Sequence, residues 1–560
     1  MLLSLITASV AHALLPCSLT VPPQIVVGDL DAALSTAPTG SVVCLEGADY
    51  ALADTVVVAA DLTLQPAPLA GRPRITHDDG DPLFVVPTAR SVLFVGVELD
   101  GAGERPLQVV NAQVILADVW LRGGQASQGG CARVESGGHL ELSGGEVFEC
   151  ESTGGRGGAV QVVDGTLSVN GTTFHDNMVD TDRGGGAIYL ESGAGSAISG
   201  AIFEGNTAES GTRGGGAIYV QSADGLLISD SHFEGNAGYG DRGGGAIYVE
   251  NPSGLVIERS TFDTNAASGS SSGGGALYGL NDGSGTPPIV RDSLFCRNTT
   301  TGDGGALWLQ GADPTIERSA FWANQASGNG GGLHIGIGSN ADLILDHVSL
   351  VANTALGGRG HALWNDRDQL TLTHSYIGWH GLLDEAVYSD NTSDTVGTFN
   401  AYEGNAANTN GQVQQSDLVD IGKGTGIAAP FACGFDSFAP PAWSPLASGG
   451  AKGDYVGAVE PLPPVDTSDT APTGDTGVPP FPTATTGDTG LATETALPTT
   501  GTTADTGAPT TPTTSTGPTD SAATTQAPAP NKAAAGCRCD TQGGPGPWLW
   551  LGLLVAARRR

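Results

Sequence analysis

The chain has 560 residues, 86 of them Gly, and charged residues make up 15% of it against a usual share of about 25%. The formal charge is −36, and a surface that acidic repels phosphate backbones, which excludes nucleic acid as a partner. With 6% aromatic residues and 2 Met beside 39% hydrophobic residues, one large globular core and wholesale disorder are both excluded, and a thin core repeated many times is left.

The first residues form a short apolar run closing on Ala11-His12-Ala13, the small-x-small form of a signal-peptidase site, so 1–13 is expected to be a leader cut after Ala13. Export makes the Cys residues candidates for disulfides. Pairing Cys17 with Cys44, Cys131 with Cys150 and Cys296 with Cys433 is one connectivity among many, preferred because the first two pairs are near neighbours. None of the spacings resembles a zinc site. Asp29 to Ala37 places Leu30, Ala33, Leu34 and Ala37 on one helical face, with Asp29 as N-cap and Pro38 as stop. Such a helix covers the open edge of a first coil. Less regular coils follow through Val56, Leu62, Leu83, Val92, Leu107 and Val114, so 14–128 reads as a cap with irregular coils.

From 129 to 380 the sequence copies itself. Gly-Gly-Gly-Ala-Ile-Tyr recurs at 184, 214 and 243, with variants at 273 and 304. The residues after the glycines, Ala132, Ala159, Ala187, Ala217, Ala246, Ala276, Ala306, Leu333 and Ala362, recur about every 29 residues, which indicates a solenoid. A second mark, Phe-x-x-Asn, recurs in step and gives a column Asn177, Asn206, Asn236, Asn265, Asn298, Asn324 and Asn353. The intervening pieces are short, apolar and turn-bounded, which predicts two or three strands per turn and an all-β, right-handed parallel β-helix with single coils stacked about 4.8 Å apart. The Asn column is expected to form an amide ladder. Three residues before each Phe, the column Asp230, Arg259, Asp292, Arg318, His347, His374 alternates charge; next to it Thr172, Ser231, Ser260, Ser293, Ser319 and Ser375 form a hydroxyl column. Arg183, Arg213 and Arg242 stack before the glycines, with Asp182 and Asp241 beside two of them.

The joint occurrence of Gly-Gly-Ala-Ile and Phe-x-x-Asn resembles the repeat of polymorphic outer membrane proteins, which is similar in its expected coil to the pectin-lyase-like β-helix superfamily. The resemblance covers about 130–365, without the autotransporter barrel. It implies a β-helix, and raises the question of an active site. The pectate lyases it resembles use an Asp cluster for Ca²⁺ and an Arg base; the polygalacturonases use Asn-Thr-Asp, Asp-Asp, Gly-His-Gly and Arg-Ile-Lys. Here only Asp78-Asp79 and Gly358-Arg-Gly-His361 come near, far apart, and no complete set transfers.

His334, His347, His361, His374 and His380 crowd into one stretch with Asp366, Arg367, Asp368, Asp384 and Glu385. His347, His361, His374, Asp366 and Asp368 are therefore the catalytic candidates, because His beside carboxylates supplies acid–base or metal-binding chemistry. Two imidazoles in a column otherwise filled by Asp and Arg also read as solvated rungs. No cofactor is expected, except Ca²⁺ if the chain were a lyase.

Terminal coils are expected over 381–460, where Trp443-Ser-Pro-Leu and Asp454 to Glu460 resemble the closing segment of bacterial β-helix surface proteins. Over 461–530, 23 of 70 residues are Thr, 13 are Pro and none is Lys or Arg, so 461–535 reads as a disordered stalk. Asp-Thr-Gly at 475, 488 and 505 lacks the apolar strand an aspartic protease would place before it. Residues 536–560 run from Cys537-Arg-Cys539 through an apolar segment to Arg558-Arg559-Arg560, an order that resembles the C-terminal sorting tags of myxobacterial surface proteins (the MYXO-CTERM type). That resemblance implies processing near Cys537 and Cys539, membrane attachment through the tag, and display on the outer membrane of a Gram-negative bacterium. The expected protein is an exported, monomeric, non-catalytic cell-surface adhesin or envelope-structure protein whose partner is a polysaccharide or another cell surface; the alternative is an extracellular polysaccharide lyase or glycoside hydrolase.

Overall fold

The computed structural model describes most of 14–460; residues 1–13, short internal segments such as 24–28, 78–81, 281–284, 337–341, 367–368, 381–383 and 421–432, and all residues from 461 onward lie outside the description. The leader with Ala13, Asp78-Asp79, Asp182, Asp368, the Thr/Pro segment and the tag with Cys537 and Cys539 therefore fall outside it. Among the described residues no helix is long and apolar enough to cross a membrane.

The chain winds as a right-handed parallel β-helix. One coil shows the pattern: Ile218–Ser222, Leu227–Ser229, His232–Glu234, Ala237–Tyr239 and Arg242–Gly244. Each pairs in parallel with its counterpart one coil on, Ile218 with Ile247, Ile228 with Ile257 and Phe233 with Phe262. Where two or three strands per turn were expected, five short pieces occur, because two further corners carry two- or three-residue pieces. Among the described residues the sheets have 28, 15, nine and four strands. The largest joins two faces because Ala132–Ser143 and Val160–Asn170 run through the corner between them.

Alternation along each strand decides what lies inside. In Ile218-Tyr219-Val220, Ile and Val enter the core and Tyr points the other way. The Phe column fills the core with parallel rings 4.6–4.9 Å apart from Phe174 to Phe321, so each ring packs against the coils above and below. Glycine serves close approach: a Cβ on Gly216 would stand 2.0 Å from the carbonyl oxygen of Gly245. Two corners per coil use left-handed backbone. One holds Gly200, Asp230, Arg259, Asp292, Arg318, His347 and His374; the other precedes each ladder Asn and holds Asp176, Gly205, Gly235, Thr264, Arg297, Ala323 and Ala352.

Register corrects two of the repeat marks. Leu307 pairs with Leu333 and Leu333 with Leu363, so Gly332, not Leu333, is the counterpart of Ala306. Likewise Ala132 pairs with Val160, which makes Cys131 the counterpart of Ala159. In these two repeats the alanine of the mark is itself replaced, by Gly332 and by Cys131, which shifted the mark by one residue.

The helix Asp29–Thr36 buries Leu30 and Leu34 against the first coils. Disulfides join Cys17 to Cys44, Cys131 to Cys150 and Cys296 to Cys433. The last strand among the described residues is Val419–Asp420. The described pieces of 433–460 add no coil but lie on the outer face of the Phe sheet, with Phe438, Leu446 and Val456 packed on Leu294, Val351 and Ala401. The Gly457 N–H donates to the His374 carbonyl at 2.7 Å, and the Ala458 N–H to Ser349 Oγ at 2.9 Å.

Candidate functional site

The five clustered histidines separate into four environments. His380 continues the Asn column. The column is buried, and each Asn Nδ2 donates both to the next Asn Oδ1 and to a carbonyl of the preceding coil: Asn236 to Asn265 at 2.9 Å and to Phe203 O at 2.9 Å. At the C-terminal end Asn353 Nδ2 reaches His380 Nε2 at 3.4 Å, and His380 Nδ1 reaches Asn405 Oδ1 at 3.1 Å. The ladder's polarity thus assigns a neutral ring protonated on Nδ1. Burial, against the Asn405 hydrogen bond, lowers the pKa to about 3.

His334 stands in a second ladder. Tyr189, Tyr219, Tyr248, Tyr278 and Trp308 stack on the outer side of the Ile strands at 4.4–5.3 Å. His334, Trp364 and Tyr388 extend the row. His334 is buried and its pKa falls to about 3. Asp303 and Asp366 lie 4.0 and 3.8 Å from its ring nitrogens, and Asp366 also accepts from Trp364 Nε1 at 2.6 Å. The candidate Asp366 is thus tied to this ladder. In the same ladder Tyr219 donates to Glu250 Oε1 at 2.6 Å, and burial first, then that carboxylate, push its phenol far up. Arg213 pairs with this Glu250 at 2.5 Å.

His361 takes the place of the last glycine of a repeat; its buried ring accepts the Ala355 N–H on Nδ1 at 3.0 Å. His347 and His374 come together, stacked 4.7 Å apart. Their partner is Asp346, which sequence reasoning did not single out: its carboxylate lies 3.1 Å from His347 Nδ1 and 3.0 Å from His374 Nδ1. Thr373 Oγ1 donates to it at 2.7 Å. Burial raises the Asp346 pKa, but the hydrogen bonds from His347, Thr373 and His374 outweigh it and hold the carboxyl well below the usual range. Asp346, His347 and His374 offer three ligand atoms within 4.8 Å of one another. The signal for Asp346 was a second outward row, Glu258, Arg291, Glu317 and Asp346, in register on adjacent coils.

The same corner carries a zipper of ion pairs. Arg259 meets Asp230 at 2.7 Å and Glu258 at 2.6 Å, and Arg318 meets Asp292 at 2.7 Å and Glu317 at 3.2 Å. The Ser column lies beneath it, each hydroxyl accepting a backbone N–H from the preceding coil, as Ser260 Oγ does from Ser231 at 3.2 Å. Elsewhere, an open groove of about 420 Å³ is lined by Asp61, Arg90, Ser91, Asn111, Gln113 and His139, among others.

Residues 134–320 match the family described as right handed beta helix region. Comparison with curated proteins gives no match.

Proposed function

We propose that the chain is a non-catalytic, surface-displayed β-helix, an adhesin or envelope-structure protein, exported by 1–13 and carried on the 461–535 stalk by a tag of the MYXO-CTERM type, with coils of the polymorphic outer membrane protein kind. The observation that carries this reading is the use to which polar side chains are put. The Asn ladder, with His380 as one of its rungs, and the Arg–Asp pairs of the charged corner spend their hydrogen bonds on the equivalent residue of an adjacent coil, and the Ser hydroxyls accept a backbone N–H from the coil before, which is what a rod needs to hold its register. Catalysis instead requires an acid, base or nucleophile beside space for a substrate. A glycan array with the full chain, together with product release from uronic-acid and neutral polysaccharides with and without Ca²⁺, tests the reading. Replacing His347, His361, His374, Asp366 and Asp368 by Ala is expected to leave glycan or cell binding within a few-fold of wild type. Turnover in the wild type that the substitutions abolish would refute it.

The open groove favours a second reading, an extracellular carbohydrate-active enzyme, because Arg90, His139 and the Asp61 carboxylate are among the described residues that line it. Under that reading the product-release assay responds to Arg90→Ala and His139→Ala, and not to changes at the clustered histidines.

A further inference from the structure

We propose that Asp346, His347 and His374 form a binding site for one divalent transition metal ion, best matched by Zn²⁺. The proposal is independent of whether the protein is an adhesin or an enzyme. Among the described residues, this is the group of three or more His, Cys, Asp or Glu side chains whose ligand atoms converge. Two imidazole nitrogens and a carboxylate suit Zn²⁺, Co²⁺ or Ni²⁺; Ca²⁺ and Mg²⁺ prefer all-oxygen sets.

The coil geometry builds the site. His347 and His374 occupy one left-handed corner on successive coils, so the solenoid spacing holds their rings parallel, and Asp346 precedes the first of them. Both Nδ1 atoms face the same carboxylate, at 3.1 and 3.0 Å. A tetrahedral ion with bonds of about 2.0–2.1 Å sets its ligands about 3.3 Å apart. The carboxylate–imidazole separations are already close to that, and the two nitrogens, within 4.8 Å of each other, have to close by up to about 1.5 Å to reach it. Each imidazole must carry its proton on Nε2, leaving the Nδ1 lone pair for the ion. Thr373 Oγ1, 2.7 Å from Asp346, supplies the outer hydrogen bond that orients a ligating carboxylate. The His side chains are 13% and 17% exposed and that of Asp346 38%, so an ion can enter. The other His–carboxylate groupings lack one of these features. His175 is a single imidazole between Glu146 and Asp176, and His334 is buried with its carboxylates 3.8–4.0 Å away.

The site lies under the returning terminal segment. The Tyr455 ring packs on His347 at 4.6 Å, and Gly457 is hydrogen-bonded to the His374 carbonyl at 2.7 Å. A bound ion therefore ties two adjacent coils together beneath Tyr455 and Gly457 and stiffens the segment's seat.

The test is calorimetric titration of the full chain with ZnCl₂, in a Cys537→Ser/Cys539→Ser background so that the tag thiols do not compete, together with thermal unfolding with and without the ion. One Zn²⁺ per chain and a raised midpoint reversed by chelator are expected. Asp346→Asn and His374→Gln each lower the affinity at least tenfold, and His232→Gln, an exposed histidine elsewhere, leaves it unchanged. Zinc binding that survives both site variants overturns the proposal. Should the variants fail to fold, CoCl₂ added to the unaltered site decides: a ligand-field band typical of nitrogen and oxygen ligands supports it, and no band with no shift in midpoint at saturating metal refutes it.

Discussion

Replacing His380 by Asn converts the one imidazole rung of the amide ladder into the residue the other rungs use. His380 is neutral in the folded chain, with a pKa of about 3, whereas an unfolded His titrates near 6.5. A base whose folded pKa is depressed leaves stability intact above the unfolded value and removes it as pH falls toward the folded one, because the unfolded chain takes up the proton. With those two values the loss is about 2 kcal/mol at pH 5 and about 3 kcal/mol at pH 4 relative to pH 8. His334, also near 3, contributes a similar loss, so the two together remove about 4 kcal/mol between pH 8 and pH 5. His380→Asn is expected to halve that contribution and to stay within about 1 kcal/mol of wild type at pH 8, since the amide can take the Asn353 and Asn405 hydrogen bonds. Urea unfolding followed by circular dichroism at pH 8, 6, 5 and 4 measures it, with His334→Gln as the second arm. If wild type and His380→Asn lose stability along the same curve, His380 is not a buried neutral rung and the tautomer assigned by its neighbours is wrong.

Three further outcomes follow from the packing. Asn236→Ala takes the Oδ1 acceptor from the Asn206 N–H and Nδ2 and the Nδ2 donor from Asn265 Oδ1 and the Phe203 carbonyl in the core and should cost about 3 kcal/mol; an unchanged thermal midpoint would show the ladder to be energetically idle. Gly216→Ala pushes a methyl to 2.0 Å from a backbone carbonyl, so coils must part, and the expected result is a loss above about 3 kcal/mol or failure to fold. Thr264→Gly relieves a β-branched residue at φ 54° and should raise stability by about 0.5–1 kcal/mol after the entropy of glycine is offset; a lower unfolding midpoint would contradict it.

The columns that sequence alone made legible are those whose residue type is kept on nearly every coil. Phe and Asn repeat with little variation because a ring or an amide in a stack has an identical neighbour above and below, and any other residue leaves that neighbour short of a contact. The Cys pairs were visible as one option among several because two of them bridge adjacent coils. What escaped were positions where the residue changes while the role does not. His380 fills an Asn rung after Ile377-Gly-Trp, a motif with neither Phe nor Asn. The Tyr219 column was in plain view inside Gly-Gly-Gly-Ala-Ile-Tyr, but its outward stacking becomes clear only once Ile218 and Val220 are known to face inward. Of the proposed catalytic set, His347 and His374 meet, whereas His361 and Asp366 belong to the glycine corner and the aromatic ladder. The return of the terminal segment was hidden for a related reason: Leu294, Ala320 and Val351 look like core residues in a string, and only the strand facing shows that they point outward, toward Phe438 and Val456.

The amide ladder has a direction. Backbone N–H groups of neighbouring corners point both ways along the axis, as Ile218 to Ala246 and Ala237 to Asn206 illustrate, so their dipoles largely cancel. Every ladder Asn from 177 to 324, however, donates its Nδ2 to the next coil and accepts on Oδ1 from the one before. The row is therefore a head-to-tail wire of aligned amides, with its positive pole toward the C-terminal coils. Each link polarises the next, so a break costs more in the middle of the row than at either end, and a solenoid lengthened by whole coils would gain strength per rung as well as rungs.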